Sequence, residues 1–560
     1  MSTVAPALPR AGELSHRQIM TILAGLMMVL LLAALDQTIV ATSIRRIADD
    51  LNGLSLQAWA TTAYLITATI TTPLYGKLSD LYGRKPLILT AMSVFLVGSV
   101  LCGMADSMAE LAAFRAVQGL GAGGLFSLVL AIIADIVPPR ERARYQGYFI
   151  AVFGTASVLG PLVGGFFAGA DQILGVTGWR WVFLVNVPVG LAALIVVTRV
   201  LNIPHTRREH RIDWPGALAL TVALVPVLIV AEQGRGWGWT SARSLLMFGI
   251  GLVGLVAFIL AERRIGDDAL IPLRFFSKPS FSVANGVNVV VGMGMFGGFA
   301  TLPLYLQIVK GATPTRAGLL LLPLTIGLMA GSAVSGQLIS RTGRYKIYPV
   351  IGTVLMVGSL LLFSRVGVDT PMWQISLVMT MLGLGLGCCM QPLLLAAQSA
   401  LSPHDMGVAT SSSTFARQMG GTIGTAVFLS ILFSTAGDKI TNAFRAAAPT
   451  PAFQAALNDP SVLADSANRP VLQGLANAGA TGGGLSRSSL DDSSFINHLD
   501  PRLARPFLLG FSESINTVFL VAAVVIAVGF VILLFLKELP LSNQSALAAR
   551  NSAPAPAAGD

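Results

Sequence analysis

The feature that most constrains this chain is a series of fourteen apolar segments, since a helix needs about 20 such residues to cross a bilayer. Only 11% of the residues are charged, whereas soluble domains carry about a quarter. We therefore predict an all-α, polytopic membrane protein with fourteen transmembrane helices. The predicted spans are 18–41, 57–76, 86–105, 111–134, 145–169, 180–200, 215–231, 243–261, 282–307, 315–339, 347–364, 373–397, 407–434 and 512–536.

Lysine and arginine lie mainly in alternate short loops between these spans, and such loops usually face the cytoplasm. The pattern predicts a multi-pass protein of the cytoplasmic membrane, surrounded by lipid bilayer, with both termini inside. The net charge of +10 does not indicate a nucleic-acid partner, because the basic residues are scattered among the loops.

Two pairs of similar motifs indicate an internal repeat. GKLSDLYGRK (Gly76–Lys85) resembles GQLISRTGRYK (Gly336–Lys346), and glycine runs that begin at Gly119 and Gly383 form a second pair. Chance similarity of glycine-rich segments is the alternative. Parallel repeats are a transporter architecture, with the binding site between the halves near the midplane. The predicted organisation is a six-helix half at 1–200, two inserted helices at 201–281 and a second six-helix half at 282–536.

The second half contains one long predicted extracytoplasmic loop, at about residues 435–511, whose middle is rich in glycine and serine. This composition favours a mobile segment, and an unknown extracytoplasmic partner is the one further role that we consider for it. Residues 537–560 end in a run rich in alanine and proline and are predicted to form a disordered cytoplasmic tail.

Asp36 lies inside the first apolar span, in the stretch LLLAALDQTIVATS. A carboxylate near the middle of a span costs about 2.5–3.5 kcal/mol on insertion scales, and such residues usually face a bundle interior or a watery cavity. It can hold a proton or a cationic substrate, but not comfortably both, and this competition would couple the two. The alternative is a purely structural carboxylate that is hydrogen-bonded to Gln37 and Thr38.

Arg115 and Gln118 lie in the fourth span, in LAAFRAVQGLGAGG. Arginine does not lose its proton in proteins, so Arg115 is not itself a proton carrier. We expect it to orient a polar network with Gln118 or to keep the proton of a nearby carboxylate labile. A side chain that reaches toward the outer interface is the alternative.

Charged and small residues surround the loop after the second span, and Asp135 at the inner end of the fourth span is a plausible partner for Arg84. We predict a cytoplasmic gate held by these charges. The alternative is a set of ordinary surface ion pairs, each worth under about 1 kcal/mol. The predicted gate residues are Gly76, Asp80, Gly83, Arg84, Lys85 and Asp135.

The fifth span places small residues around a proline, in GTASVLGPLVGGFFAG. Small residues let helices approach closely, and proline bends a helix. We predict a hinge or close-contact surface, with ordinary packing as the alternative. Its residues are Gly160, Pro161, Gly164 and Gly165.

Aromatic and glutamine side chains in the spans that should line a central cavity are candidates for substrate contact. They are Trp59, Tyr64, Phe296, Phe299 and Gln391. The three cysteines lie in apolar stretches, and the chain contains no phosphate-binding loop motif. We therefore predict no metal site and no cofactor. No nucleophile–base arrangement or pair of acids stands out, so an enzyme is not expected.

Four motifs, in order along the chain, resemble those of the major facilitator superfamily, and most closely its fourteen-spanner drug:proton antiporters. They are LDQTIV in the first span, GKLSDLYGRK after the second, RAVQGLGAG in the fourth and GPLVGG in the fifth. The resemblance implies proton or substrate coupling at Asp36, proton transfer near Arg115 and Gln118, a cytoplasmic gate at the loop, and an antiporter signature in the fifth span.

Three positions depart from the pattern of that family. Arg45 and Arg46 stand where relatives often have proline, Leu81 replaces a basic residue, and Ser340 replaces the acid of the second-half loop. The last two departures remove charges from the predicted gate.

The expected function is the export of amphipathic, often cationic, small molecules in exchange for protons by alternating access. Two other functions stay open at this stage. One is an exporter of a lipid or an endogenous metabolite, with the long outer loop as a docking site. The other is a membrane sensor or scaffold that does not transport.

Overall fold

A computed structural model of the 560-residue chain shows a bundle made almost entirely of helices. The structure describes residues 15–51, 56–202, 213–465, 468–469, 471–472, 499–542 and 544–545.

The first half contains seven helices because the sixth predicted span is divided at Val185. The helices are α1 His16–Asp50, α2 Gln57–Tyr82, α3 Arg84–Met104, α4 Met108–Ile136, α5 Pro139–Gly169, α6 Trp181–Leu184 and α7 Asn186–Val200. The prediction of an all-α chain misses a small hairpin between α5 and α6, in which β1 (Gln172–Ile173) pairs antiparallel with β2 (Val176–Thr177). Its two turn residues, Leu174 and Gly175, both have positive φ angles, as this tight turn requires.

The remaining helices form the insert, the second half and the outer segment. They are α8 Trp214–Trp237, α9 Ala242–Ile265, α10 Pro279–Leu304, α11 Pro314–Leu320, α12 Leu322–Thr342, α13 Ile347–Phe363, α14 Met372–Ser399, α15 Met406–Ala447, α16 Pro451–Leu457, α17 Pro460–Ala464 and α18 Pro501–Leu534. A π-helical turn, Tyr305–Val309, continues α10.

A helix covers each of the fourteen predicted segments. Within the described residues, eleven helices are long and apolar enough to cross a membrane, and Ile347–Phe363 is apolar but shorter. The chain is therefore a multi-pass membrane protein, whereas the number fourteen stays a prediction.

Helices of the two halves pack through glycines at matching places. A Cβ atom at Gly119 on α4 would meet the carbonyl oxygen of Tyr64 on α2, and one at Gly383 on α14 would meet that of Leu324 on α12. Gly123 and Gly387, one helical turn further on, approach α2 and α12 in the same way. Small residues permit this close approach of two backbones. The glycine pair that suggested a repeat thus sits in equivalent helix–helix contacts.

The flanking helices continue into the segment predicted as a long outer loop at 435–511. Helix α15 extends to Ala447 and α18 begins at Pro501, with α16 and α17 folded against them. Phe444 packs edge-on against Phe453 and Phe507, with ring centroids 5.9 Å and 4.8 Å apart. Apolar burial therefore extends the bundle beyond the span. The glycine- and serine-rich middle lies outside the described residues.

The predicted disordered tail at 537–560 begins with residues that are packed rather than free. Glu538 Oε1 accepts hydrogen bonds from the backbone amides of Tyr345 and Lys346, at 2.6 Å and 3.1 Å. The amide of Leu539 donates to the Tyr345 hydroxyl at 2.8 Å. An acid near the first turn of α13 is favoured by the helix dipole. Residues 546–560 lie outside the described residues.

The insert, α8 and α9, lies against the first and second halves together, because α8 packs on both α2 and α15. Leu220, Phe258, Leu270 and Ile271 form its apolar core at the end that the sequence assigns to the cytoplasm. The insert is thus part of the bundle wall between the halves.

Candidate functional site: a sealed ion pair beside a central cavity

Asp36 is fully buried and has three side-chain partners. Its Oδ2 accepts a hydrogen bond from Arg115 Nη1 at 2.7 Å, and this contact is also an ion pair. Its Oδ1 accepts from Gln118 Nε2 at 2.8 Å and from Asn186 Nδ2 at 2.7 Å. These donors come from α4 and α7, so the site forms only when α1, α4 and α7 pack together. A buried carboxylate with three donors is the arrangement that low dielectric requires.

A further layer of hydrogen bonds fixes the donors themselves. Gln118 Oε1 accepts from Arg115 Nη1 at 2.6 Å, while Gln118 Nε2 also donates to Ser99 Oγ at 2.7 Å. The guanidinium Nε of Arg115 donates to the carbonyl oxygen of Ala60 at 3.2 Å. Ser99 and Asn186 were not predicted. In the sequence, Ser99 and Asn186 stand out only as polar residues inside apolar runs. Many residues with a purely structural role have the same feature.

The geometry places Arg115 in the interior and gives Asp36 partners other than Gln37 and Thr38. Arg115 is only 1% exposed, and its guanidinium carbon lies 4.1 Å from the ring centroid of Tyr64, so it does not reach toward the interface. Thr38 donates to the backbone carbonyl of Ala156 on α5 at 3.1 Å rather than serving Asp36. The carboxylate is thus held by distant helices and not by its neighbours in sequence.

A cavity of about 410 Å³ lies between the two halves, a size that suits a drug-sized molecule. Helices α1, α2, α4, α5, α10, α14 and α15 line it, and the insert contributes Ala231 and Trp239. Of the predicted cavity residues, Tyr64 and Gln391 lie in this lining. Trp59, also on α2, is not among the residues that line it. The side chains of Phe296 and Phe299 lie outside the described residues.

Asp36 does not line this cavity, and neither does Arg115. Gln37 and Tyr64 occupy the wall instead, with Arg115 packed behind the Tyr64 ring. Cargo in the cavity therefore cannot contact Asp36 in this conformation. The expectation that proton and substrate compete directly for the carboxylate needs correction, because the aromatic wall separates them.

Arg417 on α15 does line the cavity and was missed as a candidate. It is the only charged residue among the described lining residues, and it forms no ion pair or hydrogen bond from its side chain with the part of the chain that the structure describes. The sequence does contain a signal for Arg417, because it lies within the predicted span 407–434. Placing an arginine in a membrane span is energetically unfavourable, so such residues usually have a function.

The predicted gate residues come together at one end of the bundle. Arg84 forms ion pairs with Asp135 through Nε at 2.6 Å and with Asp80 through Nη2 at 2.7 Å. Asp80 also accepts hydrogen bonds from the backbone amides of Gly407 and Val408, at 3.1 Å and 3.0 Å. These amides open α15, so the first half places a carboxylate on a helix N-terminus of the second half, where the dipole favours it.

Close backbone contact reinforces this junction. A Cβ atom at Gly76 on α2 would clash with Ser411 on α15, which explains the glycine. Gly83 has φ 96°, a conformation that favours glycine, and joins α2 to α3. Lys85 does not join the ion pairs of Arg84 in this gate, since its Nζ donates to Asn202 Oδ1 at 2.7 Å on the surface.

Two arginines of α5 add contacts between the halves that sequence reasoning missed. Arg142 donates to Gln398 Oε1 on α14 at 2.8 Å. Arg140 donates to the backbone carbonyls of Ser340 and Arg341 at 2.8 Å and 2.9 Å. Because Ser340 acts through its carbonyl, the missing acid at this position does not prevent the contact. This end of the bundle is closed.

The fifth-span motif faces α1 through some of its residues only. Cβ atoms at Gly160 and Gly164 would meet Thr38 and Thr42, whereas Gly165 has open space around it. Pro161 lies within α5, and its ring lies near Gly318 of α11. The motif therefore contacts α1 closely through Gly160 and Gly164, and it contacts α11 of the second half through Pro161.

No group of three His, Cys, Asp or Glu within the described residues has the geometry to hold a metal ion. The polar atoms of the site instead suit proton transfer and the binding of an organic molecule.

Comparison with known proteins agrees with the geometry. The sequence profile of the Major Facilitator Superfamily matches residues 26–425. The multidrug transporter protein MdtP of Bacillus subtilis (strain 168) is 32% identical over 543 residues, covering 96% of each chain. The tetracycline resistance determinant of Streptomyces rimosus is 40% identical over 327 residues, covering 58% of this chain and 92% of the relative.

The fold also matches a solved structure, a bacterial homolog of the human lysosomal transporter Spinster in an inward-facing and unoccupied conformation. The TM-score is 0.55 at 16% identity, with 94% of this chain and all of that chain covered. The family resemblance predicted from four motifs is confirmed, and the family is one of transporters rather than of enzymes. The chain belongs to the major facilitator superfamily.

Proposed function

We propose that this protein is a secondary active exporter that moves amphipathic organic molecules out of the cell in exchange for protons. The observation that carries the proposal is the sealed Asp36–Arg115 pair directly behind Tyr64, a residue of the cavity wall. The names of its relatives, a multidrug transporter and a tetracycline resistance determinant, support export of foreign compounds.

The proposed location is the cytoplasmic membrane, with fourteen spans and both termini inside. The closed end of the bundle, at Asp80 and Arg84, is then the cytoplasmic end. The cavity lies on the outer side of this closure, because its lining on α15 begins at Thr414, after the Gly407–Ser411 contact. The structure therefore corresponds to a state closed toward the cytoplasm.

Coupling in this proposal is indirect. A proton on Asp36 would neutralise the carboxylate and weaken its ion pair with Arg115, which keeps its own charge. Arg115 packs 4.1 Å from the Tyr64 ring centroid, so a change in its position would move the cavity wall. Protonation and cargo binding then influence each other through Tyr64 and do not require a shared atom.

The driving force is sufficient for such an exchange. One elementary charge that crosses the membrane gains about 2.3 kcal/mol per 100 mV. A tenfold gradient corresponds to about 1.4 kcal/mol. One proton per cycle can therefore sustain more than a tenfold cargo gradient.

Inverted membrane vesicles that carry the full chain test the proposal. A fluorescent amphipathic dye is followed under an imposed pH gradient and, separately, in dye-for-dye counterflow without a gradient. Asp36→Asn should lose the response to the pH gradient and retain counterflow, because the amide is similar in size to the carboxylate but cannot take up the proton. Asp106→Asn is the matched control, since Asp106 forms an exposed ion pair with Arg180 at 2.9 Å.

Two results would contradict the proposal. If Asp36→Asn responds to the pH gradient as the wild type does, Asp36 is not the coupling group. If no dye shows proton-driven flux in any version of the protein, the export function itself is wrong.

A further inference from the structure

The central cavity combines an apolar body with a single positive charge. Phe126, Met295, Met390 and Trp239 supply aromatic and thioether surfaces from four different parts of the chain. Such surfaces accept varied apolar groups without fixing one shape. The described lining residues contain no carboxylate, and Arg417 is the only charge among them.

Arg417 lies in the part of α15 that faces the cavity. Thr414 precedes it by three residues and Gly421 follows by four, and all three line the cavity, as residues on one helix face should. On α14, Gln391 also lines the cavity, and its Oε1 has no hydrogen-bond partner among the described residues. The cavity thus presents the Arg417 guanidinium to a ligand, whereas the Gln391 Oε1 atom itself is buried.

A guanidinium removed from bulk water without a carboxylate partner is unfavourable, because no opposite charge compensates for its lost hydration. The contrast with Arg115 is direct, because that guanidinium lies 2.7 Å from the Asp36 carboxylate. A ligand anion can supply the missing charge, and its planar oxygens match the fork of the guanidinium.

Building on the export function proposed above, we infer that the preferred cargo is an amphipathic organic anion. Its acidic group pairs with Arg417 and its apolar body lies against the aromatic and methionine wall. A cation receives no complementary charge from the described cavity. The preference for an anion over a cation therefore comes from Arg417 in the second half and not from the Asp36 site.

The inference changes the charge moved in each cycle. A monoanion that leaves while one proton enters carries two elementary charges in the same electrical direction. A monocation that leaves for one proton carries none. Voltage should therefore drive export of the anion strongly and export of the cation hardly at all.

Three dansyl probes with one alkyl body and different head groups test the inference: a carboxylate, its methyl ester and a quaternary ammonium. Binding is measured by fluorescence titration of the purified full-length protein in lipid nanodiscs. We expect the carboxylate to bind most tightly to the wild type. Arg417→Gln should weaken that probe about tenfold to hundredfold, the loss of one charge-assisted hydrogen bond, and should leave the ester unchanged.

Two further variants separate recognition from folding. Arg417→Lys keeps the charge and should restore part of the preference for the carboxylate. Arg445→Gln, on the exposed outer part of the same helix, should have no effect on any probe. Each variant is accepted only if it remains monodisperse and unfolds near the wild-type temperature.

Tighter binding of the ammonium probe to the wild type, or equal weakening of all three probes in Arg417→Gln, would overturn the inference. Proton-driven transport of the ammonium probe alone would leave the export function standing and refute the anion preference. Absence of proton-driven transport for every probe would instead contradict the export function.

Discussion

The first and second halves of the chain pack their helices through matching glycines, yet they place different chemistry in the same interior positions. Arg115 and Gln118 precede Gly119 on α4, and the residues at the same distances before Gly383 on α14 are Met379 and Leu382. Both of those side chains are buried in the apolar core of the second half. One half thus holds a charged network, whereas the other is packed with hydrocarbon.

The charge of the second half lies elsewhere. Arg417 faces the cavity without an acid, while Arg115 is enclosed with one. A paired, buried charge can respond to a proton, and an unpaired charge in a cavity can bind a ligand. Under the proposed function, proton coupling therefore depends on the first half and recognition of the cargo's charge on the second.

The largest expected effect comes from breaking the charged network. Asp36→Ala leaves Arg115 buried without its partner and should lower the free energy of unfolding by about 3–5 kcal/mol. Arg417→Met removes a charge that has no acid partner and should leave stability unchanged or increase it. Thermal unfolding of both variants in lipid nanodiscs makes the comparison.

The double variant Asp36→Ala/Arg115→Met is the control for this pair. It removes both charges and should recover a large part of the lost stability. If Arg417→Met destabilises the protein as much as Asp36→Ala does, the division between the halves is wrong.

The second test concerns the gate. The end of α2 provides a charged side chain there, whereas the corresponding end of α12 provides backbone carbonyls. Asp80 contacts α15 through its side chain, whereas Ser340 accepts from Arg140 through its backbone carbonyl. Asp80→Asn should weaken the closed state by about 1.5–3 kcal/mol, the value of hydrogen bonds to a charged group. Ser340→Ala keeps the carbonyl and should have little effect.

Opening of the gate can be measured with a Ser411→Cys variant, since Ser411 is buried against Gly76. A membrane-impermeant maleimide labels this cysteine only when the gate opens. The label should react at least about tenfold faster in Asp80→Asn than in Ser340→Ala. Equal labelling rates in the two variants would show that closure of the gate does not depend on the Asp80 carboxylate.

A smaller effect is expected within the fifth-span motif. Gly164→Ala places a methyl group against Thr42 of α1 and should cost about 1–3 kcal/mol. Gly165→Ala enters open space and should be neutral or slightly stabilising. Unfolding temperatures of the two variants decide the point, and a larger loss in Gly165→Ala would contradict the packing described for α1 and α5.

The smallest effect concerns the outer segment, which only the second half carries. Arg502 contacts Asp500 at 2.9 Å and Asp459 at 3.0 Å. Hydrogen bonds from Ser461 and Arg502 lower the pKa of Asp459 to about 2. A lowered carboxyl pKa stabilises the fold above the unfolded value of about 3.9, and this contribution is lost as pH falls through about 2.

Arg502→Met should therefore reduce stability slightly at neutral pH, and the difference should shrink as the pH falls toward 2 and Asp459 becomes protonated. Unfolding of wild type and variant at both pH values measures this. A difference that grows as the pH falls would have the wrong sign for this ion pair.

The sequence predicted the parts of the site that depend on local pattern. Apolar length located the helices, and an isolated carboxylate or arginine in a span marked Asp36 and Arg115. The small residues of the fifth-span motif predicted a hinge or close-contact surface on α5, since small residues permit two helices to approach closely.

Contacts between distant helices could not be predicted in this way. Asn186, the first residue of α7, becomes a partner of Asp36 only because α7 packs against α1. Arg140 and Arg142 bridge to the second half through backbone and amide acceptors that carry no sequence signature. Whether Asp36 faces the cavity depends on the position of Tyr64, which is a matter of tertiary packing.

Infrared difference spectroscopy of the reconstituted protein tests most directly whether Asp36 carries the proton. A protonated-carboxyl band should appear as the pH falls through the range in which exchange runs, and cargo binding should change its intensity. The band should vanish in Asp36→Asn and persist in Asp106→Asn. A spectrum in which Asp36 stays ionised at every pH that supports exchange would contradict the account.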